Sequence, residues 1–216
     1  MNAEKLLLKG MDELGLSCSK KATADLLTLL SELKKWNKAY NLTSLKTDED
    51  IIIKHFLDSL LYLKVFPDNA LKAADIGTGA GFPGIPIKII RPDIEMTLVE
   101  PSRKKAAFLR NIVRVLKLDK VNVLQMRAEE MGEDLHDYFD IIVSRATFSI
   151  MDYIQAASPY IRPGGVLIVS KGPNYSEEIK EHPETGKLIK EVKEFVLPYG
   201  GGSRNLILLN PKQGND

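Results

Sequence analysis

Four glycines and two prolines crowd the stretch "DIGTGAGFPGIP", Asp75–Pro86, directly after an apolar run. Gly79, Gly81 and Gly84 give the G-x-G-x-x-G spacing of a dinucleotide-binding turn, while Gly77, Gly79 and Gly81 give G-x-G-x-G. Glycine tolerates positive φ and lets backbone come close to a ligand, so the stretch predicts a loop that cradles a small molecule. A pyrophosphate would need free amides at the start of the following helix. Pro83 and Pro86 each remove one donor from that region. Asp75, just ahead of the glycines, suits a cationic or zwitterionic ligand better than a diphosphate. No G-K-[ST] follows, which excludes a P-loop. The composition favours S-adenosylmethionine (SAM) over NAD.

Further candidates sit at the ends of apolar runs. Glu100 closes "IEMTLVE", where an acid can accept hydrogen bonds from both ribose hydroxyls of an adenosine. "QMRAEEM" offers Glu129 or Glu130 for an adenine amino group, and the residues alone do not rank the two. Arg145 ends "FDIIVSR", a costly place for an unpaired cation. It could orient the cofactor, bind a phosphate, meet guanine O6 and N7 in bidentate fashion, or pair with Asp75 or Asp140. Lys171, ending "GVLIVSK", is a weaker candidate for a phosphate contact.

The acceptor is narrowed by what is missing. Cys18 is the only cysteine and lies far from the strands, so cytosine C5 methylation has no nucleophile. "RATFS" stands where exocyclic-amine methyltransferases carry a Pro-Pro-aromatic clamp. An acceptor with a free lone pair, such as guanine N7, needs neither and can be served by positioning alone.

These residues need a framework. Residues 1–66 read as helices, with Leu26, Leu27, Leu30, Leu33 and Trp36 on one face and a Thr47/Asp50 capping box opening the next helix. From residue 71 short apolar strands alternate with amphipathic helices, at about 84–91, 103–117, 150–161 and 176–189. In the second of these Phe108, Leu109, Ile112, Val113 and Leu116 face inward. That pattern predicts an α/β fold: a mostly parallel, doubly wound sheet of Rossmann-like type, closed by the antiparallel pair "VKEFVLP" and "RNLILLN". The expected organisation is a helical extension, 1–66, packed on a main domain, 67–216.

Bulk properties bound the function. Apolar residues at 44% and charged residues at 27% match a soluble globular chain, and no run approaches a membrane span. The first residues lack a signal-peptide pattern. One cysteine excludes an internal disulfide, and His55, His136 and His182 show no ligand spacing, so a metal-free cytoplasmic protein is expected. Net charge is +1, so any nucleic-acid contact must use a local basic face.

"DIGTGAGFPGIPIKIIRPD", "LVEPSRKKAAFLRNIVRVLKL" and "FDIIVSRA", with "WNKAYNLTSL" and "KHFLDSL" upstream, resemble the bacterial small-subunit rRNA guanine-N7 methyltransferase family (RsmG, formerly glucose-inhibited division protein B). The resemblance spans Trp36 to Lys171, and "SRNLILL" also fits. It implies a class I SAM-dependent methyltransferase fold and methylation of N7 of one guanine in 16S rRNA near the decoding site, leaving S-adenosylhomocysteine. It places cofactor contacts on Gly77, Phe82, Ala128, Glu129 and Arg145, preferring Glu129 to Glu130; Gly79, Gly81, Gly84 and Glu100 keep the roles argued above. Arg145 would sit where donor meets acceptor, with no general base. Arg103, Lys104 and Arg110, with Arg114, Arg127, Lys34, Lys35, Lys38 and Lys171, become candidates for contact with 16S rRNA or the small subunit. His55 and Asp58 read as packing and hydrogen bonding against the sheet. The chain departs from the family at Thr147, where an aromatic is more usual. A monomer is expected. An NAD-dependent oxidoreductase and a non-catalytic RNA-binding factor remain alternatives.

Overall fold

Short apolar strands separated by amphipathic helices assemble, in the computed structural model, into a seven-stranded sheet ordered β3-β2-β1-β4-β5-β7-β6. The structure describes residues 2–145 and 148–212. The strands are β1 (Lys72–Ile76), β2 (Glu95–Val99), β3 (Val121–Leu124), β4 (Phe139–Arg145), β5 (Ile161–Lys171), β6 (Ile189–Val196) and β7 (Ser203–Leu209). β1 to β5 run parallel, and β7 is antiparallel to both β5 and β6. The closing pair therefore enters with its second strand inside. β7 is largely buried, whereas β6 lies at the edge and carries Lys190, Glu191, Lys193 and Glu194, charges that discourage pairing with another chain.

Three helical segments precede the sheet: α1 (Ala3–Glu13), α2 (Lys20–Tyr40) and α3, residues 48–64. In α2 the inward face is Leu26, Leu29, Leu30 and Leu33; Leu27, expected inside, is only half-buried. Trp36 meets Phe108 edge-on at 5.7 Å, tying α2 to a helix of the sheet layer. Half of the expected capping box forms at the start of α3. Thr47 accepts from the Asp50 amide, but the Asp50 carboxylate takes the Thr47 hydroxyl proton rather than a backbone N–H. α3 widens into a π-helical turn at Ile52–Leu57 and tightens to a 3₁₀ turn at Leu61–Lys64. Fully buried Tyr62 donates to the Ser144 carbonyl at 2.6 Å, pinning α3 to the end of β4.

The helices between strands are α4 (Gly84–Ile90), α5 (Arg103–Val115), α6 (Ile150–Ala157) and α7 (Tyr175–Glu181). The last expected helix breaks at His182, φ −130° and ψ 75°, because Pro183 disfavours a helical residue before it. Leu26, Leu33, Phe56 and Leu61 of the N-terminal helices share one apolar cluster with Ile141, Val143 and Ile168 of the sheet. The opposite sheet face packs Ala74, Ile142 and Leu167 against Tyr153 of α6.

Because Leu33 is fully buried in that shared cluster, Leu33→Ala should destabilise the whole chain by about 2–5 kcal/mol. Urea unfolding read by far-ultraviolet circular dichroism checks this; a midpoint equal to wild type would contradict a shared core.

Candidate active site

Strand order reverses between β1 and β4, so their carboxyl ends diverge and open a crevice, the usual ligand site of such sheets. The glycine loop leaves β1 there. Gly77 and Thr78 both donate to the Val99 carbonyl, which holds the loop against β2. Gly77, Gly79 and Gly81 adopt φ of 69°, 61° and 92°, conformations that side chains rarely take.

Asp75 organises this loop from below. Its Oδ2 accepts from the Thr78 hydroxyl at 2.6 Å and from the Gly84 amide at 2.7 Å, and its Oδ1 has no partner among the described residues. Burial pushes its pKa up to about 7, against the pull of those two bonds. The expectation that Asp75 faces a cationic ligand is thereby corrected: the side chain is fully buried under the loop.

The crevice is a cleft of about 440 Å³, within the range of small-molecule sites. One wall carries Gly77, Gly79, Glu100, Ala128 and Glu129. Glu100 accepts from the Gly79 amide at 2.9 Å and the Ser102 amide at 2.8 Å, one bond per oxygen, which leaves lone pairs on each. Glu130 spends its carboxylate on the Arg127 amide, closing its own 3₁₀ turn, so Glu129 alone of the two lines the cleft. Gly81 and Gly84, expected among the ligand contacts, stand behind the lining instead. A Cβ on Gly81 would lie 2.7 Å from Ile85 Cγ1, and one on Gly84 would lie 2.5 Å from Leu98 Cδ2. They permit packing of the loop rather than approach of a ligand.

The facing wall carries Leu42, Thr43, His55, Phe82, Arg145 and Phe148. Arg145 pairs with neither Asp75 nor Asp140. Its Nη1 donates to the Lys54 carbonyl at 2.8 Å and lies 3.5 Å from Asp58 Oδ2, and its Nη2 lies 2.8 Å from His55 Nδ1. Asp140 instead holds Arg162 and the Leu71 and Lys72 amides. Arg204, from β7, also donates to Asp58 Oδ2, at 3.1 Å. The His55 ring stacks on Phe82 at 4.4 Å, nearly parallel, and its Nε2 lies 2.8 Å from the Thr43 hydroxyl. Burial, then the Arg145 charge, hold the His55 pKa down to about 3, so the imidazole is neutral. Leu42 and Thr43 fall within "WNKAYNLTSL" and Lys105, which lines the cleft from α5, within "LVEPSRKKAAFLRNIVRVLKL", but neither stretch marks them individually as cleft residues.

The expected RNA contacts divide. Arg103, Lys104 and Arg110 are exposed on α5. The Lys171 ammonium is held by Glu178 at 2.9 Å and by the Phe148 carbonyl, with its side chain only 10% exposed, so it braces the cleft edge. Lys34 pairs with Asp48 and Lys35 with Glu32. Thr147, the departure from the family pattern, lies outside the described residues. Among the described residues no helix is long and apolar enough to cross a membrane.

The raised Asp75 pKa has a definite sign in stability. Between about pH 4 and 7 the folded state holds a proton that the unfolded chain has released, so this group lowers stability as pH rises. His55 acts oppositely between about pH 3 and 6.5, because there the unfolded chain binds the extra proton. Asp75→Asn keeps the shape and removes only the first effect. Its stability minus that of wild type should increase steadily from pH 4 to 7 in urea unfolding series; a flat difference would mean Asp75 is ionised in the fold.

Comparison with known proteins bears on this cleft. The family model described as "GidB: rRNA small subunit methyltransferase G" matches residues 22–207. A curated relative from Geobacter sp. (strain M21), "Ribosomal RNA small subunit methyltransferase G", is 37% identical, covering 96% of this chain and 97% of its own. Among solved structures, precorrin-6y C5,15-methyltransferase from Geobacter metallireducens is similar at TM-score 0.53 and 17% identity, covering 80% of this chain and 91% of that one. TYW2 from M. jannaschii in complex with AdoMet is similar at TM-score 0.53 and 12% identity, covering 71% and 73%. The structures share the fold, and the sequence matches settle the family: the chain belongs to the GidB family of small-subunit rRNA methyltransferases.

Proposed function

We propose that the protein transfers the methyl group of SAM to N7 of a guanine in 16S rRNA near the decoding site, releasing S-adenosylhomocysteine. Family membership supports rRNA methylation. The single observation that carries the cofactor reading is the wall where Glu100, fixed by the Gly79 and Ser102 amides, faces the same cleft as Ala128 and Glu129. Free lone pairs on a carboxylate held in place fit a vicinal diol, and the acid after β3 fits an adenine amino group. A protein of the same fold was solved with AdoMet.

When bound, SAM supplies a methyl group activated on a sulfonium. The backbone at Gly77 and Gly79, with Phe82, receives the methionine and sulfonium end. Glu100 holds the ribose, Ala128 and Glu129 hold the adenine, and Gly81 and Gly84 keep the loop in shape. Arg145 stands on the facing wall, where the acceptor must enter. Arg103, Lys104 and Arg110 offer phosphate contacts at the rim, and binding should weaken as salt rises. Lys171 serves that rim only by bracing Phe148. The partner is the small subunit or its RNA. The protein acts as a cytoplasmic monomer without a metal ion, with residues 1–66 as a helical extension on the domain 67–216.

Labelled SAM with small subunits from cells lacking the enzyme, and separately with their extracted RNA, tests this directly. One labelled guanine that cleaves under chemistry selective for 7-methylguanine is the expected result; label without cleavage would discard N7. Replacing the charge alone tests the cofactor wall. Glu100→Gln should weaken S-adenosylhomocysteine roughly tenfold or more in calorimetry, the loss of charge-assisted bonds of about 1.5–3 kcal/mol. Unchanged affinity would remove Glu100 from the site.

A further inference from the structure

The wall that carries Arg145, His55 and Thr43 has a hydrogen-bond order that can be read through. A guanidinium only donates, so the Arg145 Nη2 contact at 2.8 Å makes His55 Nδ1 an acceptor. The neutral imidazole then carries its proton on Nε2 and donates to Thr43 Oγ1 at 2.8 Å. The Leu45 amide donates to the same oxygen at 3.2 Å. Both lone pairs of the Thr43 hydroxyl are thus engaged, and its own proton has no acceptor among the described residues. Thr43 lines the cleft, so that proton is offered to a ligand.

The position is built, not incidental. Asn41 ends α2 in the left-handed region at φ 50°, and Asn37 Oδ1 accepts from the Thr43 amide at 2.9 Å. The imidazole cannot swing away, since it is stacked on Phe82 and its Nδ1 faces a cation. Thr43 is therefore a fixed donor with no capacity left to accept.

We propose that the Thr43 hydroxyl is the group that recognises the acceptor base, donating to guanine O6. Within the methyl-transfer reading, on which this rests, N7 must keep its lone pair free for the methyl group, so a donor beside it has to engage O6. Guanine presents two acceptors on that edge, whereas adenine presents N7 and an amino group. A donor that cannot accept meets adenine donor to donor. His55 and Arg145 are positioning residues for Thr43, each fixing the hydrogen-bond sense of the next.

The test compares methyl transfer to small subunits lacking the modification with S-adenosylhomocysteine binding by calorimetry. Thr43→Val, of the same shape, should lose roughly tenfold to a hundredfold in kcat/KM for subunits while binding S-adenosylhomocysteine within about twofold of wild type. Thr43→Ser, which restores the hydroxyl, should recover most of the loss. His55→Phe keeps a ring on Phe82 but breaks the relay. Combined with Thr43→Val it should cost no more than His55→Phe alone, because His55→Phe already removes the Thr43 contact along with the Arg145 contact. A Thr43→Val protein as active as wild type, or one that loses methyl transfer and S-adenosylhomocysteine binding in parallel, overturns the assignment of Thr43 while methyl transfer by wild type still stands. A wild-type protein that labels no subunit overturns the methyl-transfer reading and this assignment together.

Discussion

A guanidinium delivered to the end of a central strand must be given acceptors, and much of the molecule is arranged around that need. Arg145 has a side chain only 15% exposed, in a region where an unpartnered charge would be costly. α3 supplies a carbonyl, an imidazole and the carboxylate of Asp58, whose side chain is 5% exposed and also holds Arg204 of β7. Such buried pairs add little net stability, but losing one partner is expensive, so they fix geometry. α3 is thereby locked in register with β4 and β7, three elements distant in sequence. The π-helical turn falls on the residues that receive Arg145, a distortion common at functional sites.

From that lock follows the division of the cleft. The wall built from the ends of β1, β2 and β3 consists of backbone, a fixed carboxylate and a 3₁₀ turn. The fold alone can provide it. The facing wall is made only in part at the sheet, by Phe82, Arg145 and Phe148, because residues 42, 43 and 55 come from the N-terminal segment. Helices that share the apolar core with the sheet hold these side chains in place without spanning the cleft themselves. Residues 42, 43 and 55 thus complete the second wall of the cleft.

What the sequence revealed follows the same division. Gly77, Gly79 and Glu100, which line the cleft, have local signals: a strand ends, and a residue of suitable type follows; Glu129 needed the family resemblance, since the residues alone do not rank it against Glu130. Gly81 and Gly84 were visible as glycines, but their reason is a side chain pressing from Ile85 or Leu98, which spacing cannot show. Asp75 misled for a related reason. Its place before the glycines is compatible with facing a ligand or with bracing the loop, and only burial separates the two. Thr43 and His55 were beyond reach as site residues, since their meaning depends on Arg145, about ninety positions later. The strand pair at the end was legible as a pair, but not that β7 would enter between β5 and β6.

The facing wall also constrains the chemistry. His55 is the titratable side chain of that wall nearest in kind to a general base, yet both its nitrogens are committed, one to Arg145 and one to Thr43. Burial and the neighbouring cation hold its pKa near 3, so taking up a proton there would be strongly disfavoured. Asp75, the other perturbed acid nearby, is sealed beneath the loop. A reaction that had to remove a proton from its acceptor would find no receiver in these two groups. Guanine N7 attacks with a lone pair and has no proton to lose, so a site that fixes position and hydrogen-bond sense while withholding a base is matched to that acceptor. The rate then rests on how closely the two walls hold donor and acceptor in line. The lock between Arg145 and α3 matters to that alignment because it fixes the facing wall against the sheet.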